Sequence, residues 1–209
     1  GKIANSKDVT AATDVLMDAA AGIANSSSVT ATAGTIDMTN KLGDITNTGD
    51  VQAGTALTMT DTNGTIMNEG KVMAGTTAKL QTQTGNIINK GVLSAGSDVA
   101  ATTDNGKVQM LKDVTAVAGD ILLKAVTGRV EVGSADGNAA VTAGGTATLS
   151  TDSTTKSDIE IYGDIAGTKG ISLTTNVGDI IWHGKGTSAQ GAVQAVTTVG
   201  NIEHTGDTE

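Results

Sequence analysis

The chain has 209 residues, a net charge of −9, one Trp, one Tyr, and no Cys, Pro or Phe. The absence of cysteine excludes disulfide frameworks and Cys-based metal sites. The acidic balance argues against a nucleic-acid or anionic-membrane surface, because both need clustered Lys and Arg. No apolar run approaches the roughly 18 residues that a membrane-spanning helix needs, so no membrane insertion is predicted.

The apolar residues are almost all aliphatic, and this indicates the kind of core. A thick globular core normally uses aromatic side chains, whereas Ala, Val, Ile, Leu and Met suit a thin core built in layers. The 28 glycines, together with abundant Thr, Asn and Asp, favour turns and strands over helices. The chain opens on Gly1-Lys2-Ile3, inside a repeat and without a signal peptide, so we expect a piece of a longer protein.

Residues 43–96 contain an internal repeat with a period of 21 residues. The segments 43–47, 64–68 and 85–89 all read Gly-x-Ile-x-Asn. Each is followed by a Gly, then by an apolar residue with Ala two positions later, and then by another Gly and a third apolar pair. The two members of each pair are two positions apart, which is the period of a β-strand. Each repeat therefore predicts three short strands separated by glycine-rich corners.

The first strand of the repeat can be followed through the whole chain. Its leading apolar residue recurs at steps of 20 to 22, with one step of 29, as Ile3, Ile23, Ile45, Ile66, Ile87, Val108, Val130, Ile159, Ile180 and Ile202. A single coil cannot bury its apolar face alone, so successive coils must stack, with parallel strands about 4.8 Å apart. The pattern predicts an all-β, three-sided parallel β-helix (β-solenoid) of about ten coils, continuous over residues 1–209. The expected rod is about 45–50 Å long.

The second inward position of that first strand changes its chemistry along the chain. In five successive coils it is an asparagine: Asn5, Asn25, Asn47, Asn68 and Asn89. In the next five it is Met110, Val132, Ile161, Trp182 and His204. Stacked asparagines can hydrogen-bond to one another along the axis, so the first set predicts a structural Asn ladder. Trp182 and His204 are expected to stack on each other in the core.

The 29-residue step marks two insertions, near residues 133–140 and 150–158. Insertions on solenoids form surface loops, and such loops often carry binding residues. The candidate binding residues are Ser134, Asp136, Asn138, Asp152 and Lys156. A functionless surface insertion is the alternative, because lengthening a loop costs little entropy.

The phrase Gly-x-Ile-x-Asn-x-Gly-x-Val-x-Ala-Gly occupies residues 43–54, 64–75 and, with Leu93, 85–96. It resembles the haemagglutinin repeats of filamentous-haemagglutinin-like exoproteins of Gram-negative bacteria, which are adhesins of the two-partner secretion type. The resemblance implies a right-handed parallel β-helix, a secreted and cell-surface location, and a host-cell or glycan receptor. No catalytic residue carries over from this family, because the repeat itself has none.

Parallel β-helices also include polysaccharide enzymes, so the catalytic groups were considered. Asp44, Asp158 and Asp179 each precede a leading Ile, but in different coils, and hydrolysis needs two carboxylates facing one cleft. Arg129 is the single arginine, and His183 is expected to point outward without a partner. We therefore predict no catalytic residues, no metal site, no cofactor and no enzymatic activity.

Three functional hypotheses follow from the sequence. The first is a structural shaft or adhesion segment of a large secreted bacterial surface protein. The second is a filament or surface-layer subunit that self-associates end to end, since the chain starts and stops inside coils and solenoid ends need caps. The third is a protein that binds or cleaves polysaccharides.

Overall fold

The computed structural model describes residues 1–206, and every regular element in that range is a β-strand. Most strands have three residues, in which the first and third side chains are buried and the middle one faces outward. This alternation follows from the two-residue period of a strand. The strands are β1 (Ile3–Asn5), β2 (Val9–Ala11), β3 (Val15–Ala19), β4 (Ile23–Asn25), β5 (Val29–Ala31), β6 (Ile36–Leu42), β7 (Ile45–Asn47), β8 (Val51–Ala53), β9 (Leu57–Asn63), β10 (Ile66–Asn68), β11 (Val72–Ala74), β12 (Ala78–Thr84), β13 (Ile87–Asn89), β14 (Leu93–Ala95), β15 (Val99–Asn105), β16 (Val108–Met110), β17 (Val114–Ala116), β18 (Ile121–Ala125), β19 (Val130–Val132), β20 (Val141–Ala143), β21 (Thr146–Thr151), β22 (Ile159–Ile161), β23 (Ile165–Gly167), β24 (Gly170–Val177), β25 (Ile180–Trp182), β26 (Gly186–Thr187), β27 (Val193–Val199) and β28 (Ile202–His204).

The strands form three parallel sheets, and each sheet takes one strand from every coil. The first sheet has the order β1-β4-β7-β10-β13-β16-β19-β22-β25-β28. The second runs from β2 to β26 and the third from β3 to β27, each with nine strands. Pairing is in register, so that Ile66 lies between Ile45 and Ile87 in the adjacent coils. The predicted β-solenoid of about ten coils of about 21 residues is confirmed.

The core is a stack of aliphatic ladders enclosed by the three sheets. Ile45, Ile66 and Ile87 of the first sheet, with Leu57 and Leu80 of the third, are completely buried. Because each coil covers the apolar face of the next, the coils are stable only as a stack. Among residues 1–206 there is no helix that is long and apolar enough to cross a membrane.

Aspartates at the corners connect one coil to the next. The Asp44 carboxylate accepts a hydrogen bond from the backbone N–H of Thr65 at 2.8 Å, one coil further on. The same contact is made by Asp8, Asp14, Asp44, Asp50, Asp98, Asp113, Asp120, Asp158, Asp164 and Asp179. At Asp179, the hydrogen bond from the Asn201 backbone holds the pKa below its usual value. These carboxylates, including the three considered for catalysis, therefore satisfy backbone donors between coils.

One carboxylate lies inside the core. Asp61 occupies an inward position of β9 and is 1 % exposed. Asn40 Nδ2 donates to Asp61 Oδ2 at 3.2 Å, whereas Asp61 Oδ1 has no hydrogen-bond partner among the described residues. Burial raises the pKa of the Asp61 carboxyl, and the nearby Asp44 charge raises it further. An unpaired buried oxygen costs stability, because the water it has lost is not replaced.

Glycines at the first corner allow the backbones of successive coils to approach closely. A methyl group on Gly70 would overlap the carbonyl oxygen of Gly49, which is a backbone atom and cannot move aside as a flexible side chain can. We expect Gly70→Ala to lower the free energy of unfolding by about 1–3 kcal/mol, the range for an overpacked position. Denaturant unfolding followed by circular dichroism measures this.

The matched control for Gly70→Ala is Gly137→Ala, where the nearest atom to the added methyl is Ser134 Oγ at 3.9 Å. This variant should unfold like the unmodified chain. Equal destabilisation by both substitutions would contradict the role of close backbone approach at Gly70.

The two insertions lie on either side of the first sheet. Residues 133–140 follow β19 in the corner between the first and second sheets, and include an antiparallel bridge between Ser134 and Gly137. Residues 152–158 of the second insertion lie in the corner that precedes β22, between the third and first sheets, whereas Ser150 and Thr151 belong to β21. Strands β19 and β22 pair directly, so both insertions border the same part of the solenoid.

Candidate functional site

The five asparagines of the first sheet form a hydrogen-bonded column. The Nδ2 atom of each donates to Oδ1 of the next, from Asn5 to Asn89, at 2.6–2.7 Å. From Asn25 onward, Nδ2 also donates to the backbone carbonyl two residues later, for example from Asn68 to Gly70 at 2.7 Å. Asn47, Asn68 and Asn89 are completely buried. From Asn25 to Asn89 the column therefore satisfies polar groups inside the solenoid and leaves no exposed surface for a ligand, whereas Asn5 is half-buried.

The aromatic side chains lie at the other end of the same sheet. Trp182 and His204 contact each other as expected, with ring centroids 4.8 Å apart and planes tilted by 44°. Trp182 is buried, but the expectation that His204 also lies in the core is wrong, because β28 is the end strand of the first sheet and the His204 side chain is exposed. The expectation that His183 has no partner is wrong. Its ring stacks on Tyr162 with centroids 5.0 Å apart, because residues at the same position of adjacent coils lie one strand spacing apart.

Two glutamates face outward side by side between the insertions. Glu131 of β19 and Glu160 of β22 are partners in the parallel pairing, so both side chains project from the same face. Arg129 bridges them, with Nη2 at 2.6 Å from Glu131 Oε2 and Nη1 at 3.6 Å from Glu160 Oε2. Gln109 Nε2 donates to Glu131 Oε1 at 2.9 Å. The Glu131 side chain is only 8 % exposed, whereas that of Arg129 is 46 % exposed.

Tyr162 links this pair to His183. Its hydroxyl donates a hydrogen bond to Glu160 Oε1, and this bond is the main reason that the pKa of Tyr162 is raised. The phenol is therefore protonated at neutral pH and acts as a donor. The first insertion lies against it, since a Cβ on Gly133 would be 3.0 Å from Gly137 O and 3.1 Å from Tyr162 Cβ. We call Arg129, Glu131, Glu160, Tyr162 and His183 the Glu-pair cluster.

The candidate binding residues of the insertions are spread around this cluster and do not converge on one point. Asp136 is exposed in the turn of the first insertion, Asn138 is exposed just after the Ser134–Gly137 bridge, and Ser134 is half-buried. In the second insertion, Asp152 pairs with Lys124 at 2.5 Å. Lys156 reaches Asp179 at 3.0 Å and Asp158 at 3.7 Å, and these carboxylates raise its pKa. No group of three or more His, Asp or Glu side chains within residues 1–206 is arranged to hold a metal ion.

The sequence does not predict the Glu-pair cluster from the aspartates that precede each leading Ile, because these lie at the corners. The sequence signal lies two positions after those aspartates, at the residue that follows the leading apolar residue. The outward residue of the first strand is Ala, Thr, Met or Ile in coils one to five, but Glu131 and Glu160 occupy it in adjacent coils. The 29-residue step separates these two residues in sequence, and stacking places them side by side.

The fold defines a β-solenoid repeat protein with one irregular region at the Glu-pair cluster. The chain matches no known protein family, no characterised protein and no solved structure. The resemblance to filamentous-haemagglutinin-like repeats accordingly stays a prediction.

Proposed function

We propose that this chain is a shaft segment of a large secreted surface protein of the filamentous-haemagglutinin-like type, which holds a distal adhesive element away from the cell. The observation that supports this function is the continuity of the stack. Each of the first nine coils, including the coil with the insertions, contributes a strand to all three sheets. A solenoid of this kind is a quasi-one-dimensional rod.

The sequence uses three kinds of axial contact to make such a rod stiff. Backbone hydrogen bonds join the strands of adjacent coils, corner carboxylates bind backbone N–H groups one coil away, and Asn side chains bond from coil to coil. Bending the rod would have to stretch these contacts together. Rigidity is what a spacer needs, because a flexible tether extends only with the square root of its length.

The shaft function is tested by placing one, two or three tandem copies of the chain between a cell-surface anchor and a binding module. A Gly/Ser linker with the same number of residues serves as the control. We expect attachment to a receptor beneath a polymer brush to increase with the number of copies, and to increase much less with the linkers. Equal attachment through the Gly/Ser linkers would overturn the proposal. End-to-end assembly into a filament remains a separate prediction, checked by sedimentation over a concentration series.

A further inference from the structure

The Glu-pair cluster breaks the chemical pattern of the repeat at a cost in stability. Two carboxylates at paired positions of adjacent strands repel each other, and Glu131 is also almost completely buried. The same position in coils three to five holds Thr46, Met67 and Ile88, which carry no charge. A stack that served only to pack coils would have no use for this arrangement. Proteins retain such local violations mainly at functional sites.

Other irregularities of the chain meet at the same place. Its single arginine and single tyrosine belong to the cluster, and both insertions border it. The cluster is open to solvent, since His183 is exposed and the side chains of Arg129 and Glu160 are 46 % and 23 % exposed. The groups are also held in place before any ligand arrives: Gln109, Arg129 and Tyr162 fix all four carboxylate oxygens of the two glutamates. Such preorganisation is typical of binding sites.

We propose that the Glu-pair cluster binds a neutral oligosaccharide that lies along the outer face of the first sheet. Sugar hydroxyls are donors and acceptors, and the cluster offers both. Carboxylates accept, whereas guanidinium and amide groups donate. The rings of Tyr162 and His183 stack on each other, and the exposed His183 ring adds apolar surface for the C–H groups of a sugar.

The charge of the site argues against an anionic ligand. Two carboxylates surround one guanidinium, and the chain as a whole carries a net charge of −9. A sulfated or uronic-acid chain would meet repulsion here. The rise per sugar unit of an extended β-linked chain is close to the strand spacing of about 4.8 Å between coils, so successive sugars can contact successive coils. The proposal does not depend on the shaft function, because a free rod could carry the same site.

The test is calorimetric titration of the chain with neutral hexasaccharides, namely those of the cellulose, xylan, mannan and chitin series. We expect at least one to bind saturably with a Kd below about 1 mM. Glu160→Gln and His183→Ala should each weaken that binding by about tenfold or more, as expected for central contacts of a site. Tyr162→Phe, which removes only the hydroxyl that fixes Glu160, should weaken it less than Glu160→Gln.

The matched control is Lys90→Ala, four coils before His183 and likewise directly after the first-sheet strand, in an exposed ion pair with Glu69. This variant should bind like the unmodified chain. Circular dichroism checks that every variant keeps its strands. The proposal is overturned if none of the four sugars binds, or if binding survives both Glu160→Gln and His183→Ala. Preferential binding of a hexagalacturonate would also overturn it, because that ligand is anionic.

Discussion

Replacing Asn68 with Leu is expected to lower the free energy of unfolding by about 2–4 kcal/mol. The substitution removes three hydrogen bonds: from Asn47 at 2.6 Å, to Asn89 at 2.7 Å and to the Gly70 carbonyl at 2.7 Å. The Asn89 oxygen and the Gly70 carbonyl are left buried, and they lose partners that no water replaces. Leu fits the space, because the same column holds aliphatic residues in later coils. The expected loss of stability therefore comes from the missing hydrogen bonds. Urea unfolding followed by circular dichroism gives the value.

The control for this substitution is Met110→Leu, in the same column and one coil beyond the end of the ladder. Met110 is completely buried, and exchanging it for Leu conserves volume, so the expected loss is under about 1.5 kcal/mol. Equal unfolding midpoints for Asn68→Leu and Met110→Leu would contradict a stabilising role of the Asn ladder.

Replacing Asp61 with Asn is expected to raise the free energy of unfolding at neutral pH by about 1–3 kcal/mol, the cost of a buried unsatisfied polar group. The variant removes a carboxylate whose Oδ1 has no partner among the described residues. Asn is already the residue at the equivalent position one coil earlier, where Asn40 donates to the Gly43 carbonyl at 2.7 Å. The amide at position 61 can make the corresponding contact with Gly64.

The effect of pH separates this explanation from a simple improvement in packing. Burial raises the folded-state pKa of Asp61 above its ordinary value of 3.8, so the folded chain binds the proton more tightly than the unfolded chain. The contribution of this group to stability is therefore greatest below pH 3.8 and is lost as the pH rises through the folded-state pKa. The advantage of Asp61→Asn should shrink on acidification.

Three corner aspartates, Asp8, Asp14 and Asp179, have lowered pKa values and contribute in the opposite direction, losing stability as the pH falls. They are present in both chains, so the difference between Asp61→Asn and the unmodified chain isolates Asp61. Asp18→Asn, an equal change of charge on an exposed side chain of the third sheet, is the control and should not raise the free energy of unfolding at neutral pH. An advantage of Asp61→Asn that stays constant from neutral to acidic pH would point to packing instead.

The sequence by itself determined the coil. Apolar residues two apart, glycines at the corners and a period of 21 residues specify parallel in-register stacking, because only that arrangement covers the apolar face of every coil. In-register stacking in turn places like residues on like residues, so the sequence alone predicts the column of asparagines as a ladder. The side-chain hydrogen bonds along that column join residues that occupy the same position in adjacent repeats.

Only the tertiary structure decided which residues meet where the repeat is broken. Glu131 and Glu160 are 29 positions apart and become neighbours because the insertions loop out and leave β19 and β22 paired. Arg129 reaches both glutamates, and Tyr162 joins Glu160 to His183, through side-chain geometry that no spacing rule contains. The corner carboxylates, and the oxygen that burial leaves unpaired at Asp61, likewise depend on which backbone groups the next coil presents. Periodicity determines the contacts within a regular stack, and contacts at an irregularity are determined by packing in three dimensions.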